Sequence, residues 1–109
     1  MATKRVNEGK DAGLESLRAK IDECDRQIIE LLARRFELVR QIGIYKANHN
    51  LPVVDEARET DLLLDRRRQS SAGRNYSVDD IFKLILEESR QIQMSVRDDL
   101  SQGKPDSQY

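Results

Sequence analysis

The chain has 109 residues, a length typical of one domain. Nineteen Lys and Arg residues against twenty Asp and Glu residues give a net charge of −1, which disfavours a general nucleic-acid-binding protein. The single cysteine, Cys24, excludes a disulfide or a cysteine metal cluster within one chain. No apolar run is long enough to span a membrane, and the first residues lack the apolar centre of a signal peptide. We therefore expect a cytoplasmic protein that does not bind membranes or nucleic acid.

The first predicted element is a helix from about Leu14 to about Asn48, which follows a polar tail, residues 1–13, that we expect to be disordered. Apolar side chains recur along it at alternating spacings of three and four, at Leu14, Leu17, Ile21, Cys24, Ile28, Leu31, Leu38, Ile42 and Tyr45. Such a helix is about 50 Å long, which exceeds the width of a domain of this size. It needs a partner along its length, and a second copy of the chain is the simplest one.

Two shorter helices follow. Asn48, His49, Asn50 and Pro52 interrupt the first pattern, and Asp55 is placed to cap a second helix that ends near Arg68. Its buried side is expected to come from Leu62, Leu63 and Leu64. After a predicted loop over 69–76 and a cap at Ser77, a third helix runs to about Arg97. The prediction is an all-α domain over 14–97 with three helices (long, short and medium) and a second polar tail, 98–109.

The third helix carries apolar residues on more than one side. Its inner side is predicted to be Ile81, Leu84, Ile85, Ile92 and Val96. A second stripe begins with Phe82 and Leu86 and continues with two polar residues, Ser89 and Gln93. A helix end that emerges into solvent explains this pattern, and so does an inward amide that serves a ligand.

Arg35 and Lys46 are cations on the predicted long helix. Arg35 occupies the slot in the apolar stripe between Leu31 and Leu38, where a guanidinium is unfavourable unless an anion meets it. An internal ion pair, a side chain that extends outward and an anion-binding site all remain open. Lys46 lies about three turns further on, so both cations project from one face, about 16 Å apart along the axis. Together they favour the anion site, although Lys46 also suits a helix C-terminus.

Asp55, Arg58 and Glu59 crowd three charges around the start of the second helix. Asp55 is most simply an N-cap, and Glu59 complements the positive end of the helix dipole. Both carboxylates are also able to accept a hydrogen bond from a ligand hydroxyl. Sequence alone does not separate these roles.

Three segments, LRAKIDECDRQIIELLARRFELVRQIGIYK, LPVVDEARETDLL and IFKLILEESRQIQ, carry a family resemblance. In helix lengths and in the order of their polar insertions they resemble the chorismate mutases of the all-helical class. The resemblance covers about Leu14 to Val96 and leaves both tails outside. It implies an intertwined homodimer that rearranges chorismate to prephenate, a step of Phe and Tyr biosynthesis, without metal or cofactor.

The resemblance also implies a role for each polar insertion. Arg18 from the partner chain, Arg35, Arg58 and Ser89 would bind the two substrate carboxylates. Lys46 and Gln93 would donate to the ether oxygen as its bond breaks, and Glu59 with Asp55 would hold the ring hydroxyl. Arg18 and Arg35 are about 26 Å apart along one helix, so an antiparallel partner is needed to bring them to one ligand.

Three alternatives stay open. An isochorismate–pyruvate lyase shares the implied fold. Glu59 favours the mutase, because the resemblance implies that the related lyases lack a glutamate at this position. A mutase for 4-amino-4-deoxychorismate, in which an amine replaces the ring hydroxyl, is not separated by Asp55 and Glu59. A non-catalytic helical dimer is disfavoured, because a pure scaffold would be more stable with an apolar residue in place of Arg35.

Overall fold

The computed structural model describes residues 8–70 and 78–103, with the side chains of 8–10 left aside. It contains three helices, α1 (Glu8–Asn48), α2 (Glu56–Gln69) and α3 (Val78–Ser101), which confirms the all-α prediction. Helix extends beyond the predicted boundaries, since α1 begins at Glu8 and α3 ends at Ser101. Most of the predicted 69–76 loop, the Ser77 cap and the outer parts of both tails lie outside the described residues. None of the described helices combines the length and apolar character needed to cross a membrane.

Helix α1 crosses the boundary between two compact units, Met1–Arg35 and Phe36–Tyr109. In the first unit the described residues form one helix, whose predicted apolar stripe lies in solvent. Leu17 is 59% exposed and Ile21 is 58% exposed, and Cys24 is exposed as well. A lone helix has no other element of its own unit on which to bury such a stripe, so this stripe is a surface that a partner can cover.

The second unit contains the small apolar core, which the end of α1 shares with α2 and α3. Val39, Leu62, Leu86 and Val96 are its buried apolar side chains among the described residues. Two interpretations of the shorter helices need correction. Ile81 and Leu84 of the predicted inner side of α3 are exposed, and so is Leu64 of α2. Val96 of the predicted inner side is buried as expected, and Leu86, Ser89 and Gln93 of the second stripe are buried with it.

Gly43 allows the closest approach between α1 and α3. It is buried, and a Cβ built at this position would lie 3.2 Å from the Cα of Gln93 and 3.4 Å from its Cγ. A Cβ this close to a backbone atom is tighter than ordinary packing, so α3 would have to shift by a few tenths of an ångström to accommodate it. Because Gly43 has no side chain, Gln93 can approach the backbone of α1 this closely.

The connection from α1 to α2 is held by several hydrogen bonds. The Leu51 amide donates to the Lys46 carbonyl at 2.8 Å, and Asn50 adopts the left-handed conformation, with φ of 54°, as the helix ends. The Lys46 ammonium donates to the Val53 carbonyl at 2.8 Å. Asp55 then accepts from the Arg58 amide at 3.0 Å, which confirms it as the N-cap of α2. These bonds fix the start of α2 beside the end of α1.

Alanine substitutions at two glycines of α1 test the close approach. At Gly13 an added Cβ meets nothing within 4 Å, so Gly13→Ala should raise the free energy of unfolding by about 0.5–1 kcal/mol through helix propensity. Gly43→Ala gains the same propensity but overpacks α1 against α3, which costs about 1–3 kcal/mol. We expect a net loss for Gly43→Ala in denaturant unfolding; equal stabilisation at both positions would contradict the close contact.

Candidate active site

Two buried polar side chains of α3, Ser89 and Gln93, form the centre of the candidate site. Ser89 is 4% exposed, and its hydroxyl donates to the Ile85 carbonyl at 2.7 Å. Gln93 is 8% exposed, and within the described part of the chain its Oε1 atom has no hydrogen-bond partner. A buried amide without a partner is unfavourable by about 1–3 kcal/mol, which is why such groups often mark ligand sites.

Lys46 approaches the same region from α1. It follows Gly43 by three residues, so it lies on the helix face that meets Gln93. Its ammonium group is half-buried, is tethered to the Val53 carbonyl, and lowers the pKa of Glu59 through its charge. An ammonium has three donors, so the bond to Val53 leaves two others for a ligand.

Glu59 lies one turn into α2 and is paired with Arg90 of α3. The Arg90 Nε atom donates to Glu59 Oε2 at 3.0 Å, and Arg90 Nη2 donates to Glu59 Oε1. These hydrogen bonds are the largest cause of the lowered pKa of Glu59, to which the charges of Arg90 and Lys46 add; burial and the Asp55 carboxylate act in the opposite direction. Glu59 is therefore ionised, and it can only accept hydrogen bonds, at neutral pH.

Arg90 and Gly43 are the residues of this region that the sequence interpretation did not single out. Arg90 directly follows Ser89, but its partner Glu59 is 31 residues away in sequence. No short-range sequence pattern therefore predicts the pair. Gly43 carried a weak signal, because a glycine inside a long helix lowers helix propensity and so suggests a packing reason.

The predicted site residues are divided between the two units. The second unit contains Lys46, Asp55, Arg58, Glu59, Ser89 and Gln93. Within it the charges of Lys46 and Asp55 act on Glu59, and Arg58 is exposed in the first turn of α2. Arg18 and Arg35 belong to the first unit: Arg18 is exposed and forms an ion pair with Glu15 at 3.5 Å, and Arg35 is half-buried.

These side chains of the second unit offer an ammonium and an amide as donors and two carboxylates as acceptors, while the Ser89 hydroxyl already donates to the Ile85 carbonyl. It can bind a small molecule that has acceptor oxygens on one side and a hydrogen-bond donor on the other. Among the described residues, no three His, Cys, Asp or Glu side chains come together in a way that would hold a metal ion. The arrangement suits electrostatic and hydrogen-bond stabilisation of a reacting ligand.

Comparisons with known proteins identify relatives of most of the chain. The profile of the family described as "Chorismate mutase type II" matches residues 17–94. A T-protein of Haemophilus influenzae is 38% identical over 78 residues, which cover 70% of this chain and 21% of that protein. A chorismate mutase of Methanocaldococcus jannaschii is 31% identical over 85 residues, which cover 73% of this chain and 83% of that enzyme.

A solved structure also resembles the chain. It is a conserved hypothetical protein from Pyrococcus furiosus, with a TM-score of 0.64 and 37% sequence identity, and the match covers 74% of this chain and 95% of the other. In contrast, this chain spans about a fifth of the length of the T-proteins and of the bifunctional enzymes that it matches.

The ion pair between Glu59 and Arg90 predicts a pH-dependent effect on stability. The folded-state pKa of Glu59 lies below its ordinary value of 4.5, so the stabilisation by Arg90 is fully present above that pH and is lost as the pH falls through the folded-state pKa. Arg90→Gln should lower the denaturant midpoint at pH 7 and have a smaller effect at pH 3. If the loss is the same at both values, Arg90 stabilises the protein through packing rather than charge.

Proposed function

Because the chain belongs to the type II chorismate mutase family, we propose that it catalyses the pericyclic rearrangement of chorismate to prephenate. In this proposal it acts in the cytoplasm, in aromatic amino-acid biosynthesis. The observation that carries the proposal is the buried amide of Gln93, whose Oε1 atom lacks a partner within the described residues. Rotation of the amide by 180° exchanges its donor and acceptor atoms, so the same group can donate to a substrate oxygen.

The reaction needs charge stabilisation rather than a nucleophile. As the ether bond of chorismate breaks, negative charge develops on the bridging oxygen, and donors aimed at that atom gain strength in the transition state. Lys46 and Gln93 are the donors in this role. Two observations support the assignment: Gln93 packs against Gly43, and Lys46 follows Gly43 by three residues on the same helix.

The remaining residues bind and orient the substrate. Glu59, with Asp55 near it, accepts the hydrogen bond of the ring hydroxyl, and the ionised state of Glu59 supports this role. Arg35, Arg58 and Ser89, together with Arg18 of a second chain, bind the two carboxylates, for which the fork of a guanidinium is well matched. Held at both ends, the substrate adopts the compact conformation in which its reacting carbons approach each other.

The exposed stripe of α1 supports a homodimer with shared sites. Large apolar side chains stand in solvent along more than four turns of the first unit, namely Leu14, Leu17, Ile21, Ile28 and Leu31. A monomer rarely exposes a continuous apolar surface of this length, and a second copy of α1 would cover it. Arg18 lies on the same stretch of helix, so pairing through this stripe would carry it into the partner's site.

Alanine variants of the two donors test the mechanism. Gln93→Ala and Lys46→Ala should each lower kcat by about 100-fold or more, the usual loss for such a donor. The assay is the decrease in ultraviolet absorbance of chorismate, with identification of prephenate or released pyruvate among the products. Gln91→Ala is the matched control, because Gln91 is exposed on the same helix and its amide donates to Glu87, one turn away. An unchanged kcat in both donor variants would refute the assigned mechanism.

Mixed dimers test the shared site. Arg18→Ala and Arg35→Ala should each abolish most of the activity without unfolding the protein, since each removes one carboxylate contact from every site. In a dimer that contains one chain of each variant, one of the two sites keeps both arginines. Activity should therefore partly return when the two inactive proteins are mixed and exchange subunits. Failure to recover after exchange has been demonstrated by mass spectrometry would argue against a site built from two chains.

A further inference from the structure

A bidentate pair of Arg90 and Glu59 links α3 to α2 near the candidate site. Both carboxylate oxygens of Glu59 accept from Arg90, which fixes the plane of the carboxylate as well as its position. The Glu59 side chain is 17% exposed and that of Arg90 is 37% exposed, so the pair is partly shielded from water. Each carboxylate oxygen keeps a second lone pair, with which it can accept a further hydrogen bond.

Resting on the proposed function, we propose that Arg90 is a positioning residue that sets the substrate preference of the site. It holds Glu59 as an oriented carboxylate with compensated charge, and thereby favours a ring hydroxyl over a ring ammonium. The sequence leaves open whether the substrate is chorismate or 4-amino-4-deoxychorismate. In this proposal Arg90, which contacts Glu59 and not the substrate, decides that preference.

The charges around Glu59 give the physical reason. Two cations, Arg90 of α3 and Lys46 of α1, act on this carboxylate, and one anion, Asp55, acts with the opposite sign. With Glu59 itself the set is electrically balanced. A neutral hydroxyl needs only an acceptor lone pair, which the balanced set supplies. An ammonium gains most from an uncompensated negative charge, which Arg90 removes.

Two further carboxylates, besides Glu59, interact with Arg90. Its Nη1 atom lies 3.7 Å from a carboxylate oxygen of Glu87, one turn earlier on α3, and the charge of Glu56 also acts on it. The pair, with Leu63, Lys83, Leu86 and Glu87, lines a cavity of about 330 Å³ between α2 and α3. Lys83 and Glu87 add one charge of each sign to this wall.

The chain offers a matched control in a second pair between the same helices. Arg67 of α2 donates through Nε to Asp79 of α3 at 2.9 Å, and through Nη2 to the same oxygen. This pair lies at the surface, with the Arg67 side chain 65% exposed, and it includes none of the predicted site residues. Arg67→Gln therefore removes a comparable link without changing the charge at Glu59.

The test compares kcat/KM for chorismate and for 4-amino-4-deoxychorismate in the full chain and in three variants. Arg90→Gln should lower the value for chorismate and raise the amine-to-hydroxyl ratio by about tenfold or more, a modest change because Arg90 is partly exposed to screening solvent. Arg90→Lys keeps the charge but loses the fork, so the ratio should stay within about threefold while kcat for chorismate falls. Arg67→Gln should leave the ratio unchanged.

The outcomes separate the inference from the function on which it rests. An active protein in which Arg90→Gln leaves the ratio unchanged overturns the inference and leaves the proposed function standing. The same holds if Arg90→Gln and Arg67→Gln reduce activity equally at a constant ratio, since Arg90 would then have only a structural role. A native chain that converts neither substrate overturns the proposed function. If Arg90→Gln does not fold, Arg90→Lys decides the matter, and a ratio shifted tenfold in that variant refutes the role of charge.

Discussion

The close contact between α1 and α3 at Gly43 is the constraint on which the site depends. Without a side chain at this position, the backbone of α3 at Gln93 comes within van der Waals distance of α1, and an amide is buried where an apolar residue would pack. Burial of an amide is unfavourable unless it finds a partner, and the described residues supply none for its Oε1 atom. The buried amide of Gln93 therefore lowers the stability of the fold. With the amide rotated by 180°, donation from its NH2 group to a ligand oxygen would recover that stability, which is why the buried amide carries the functional interpretation.

Several residues of the site also hold the fold together, and the two roles support each other. Asp55 caps α2 through the Arg58 amide, and Lys46 ties the end of α1 to the Val53 carbonyl. Both bonds fix the side chains that the proposed chemistry uses before any ligand arrives. Preorganised groups do not have to reorient as the reaction proceeds, and this is the main source of their effect on the rate. In so small a chain, a structural hydrogen bond next to the site would therefore also contribute to the proposed catalysis.

Sequence patterns predict the helices and part of the site, for identifiable reasons. The three helices and the Asp55 cap follow from local spacing, and so does the polar end of the Leu86 stripe, Ser89 and Gln93, because side chains at these spacings share one helix face. The choice of the inner face of α3 was wrong for Ile81 and Leu84, since periodicity finds apolar faces but does not say which one the same chain covers. The pair of Glu59 with Arg90 escaped prediction because it joins two helices across 31 residues.

The small core of the second unit connects the fold to the proposed dimer. Its buried apolar side chains among the described residues are Val39, Leu62, Leu86 and Val96, while longer apolar side chains of α1 remain in solvent. A small domain buries a limited share of its apolar surface, so covering the exposed stripe would add stabilisation. In the proposed dimer the same contact would deliver Arg18 to the partner's site. Stability and completeness of the site would then depend on one surface, which explains how a chain with so few buried residues can hold several charged groups in fixed positions.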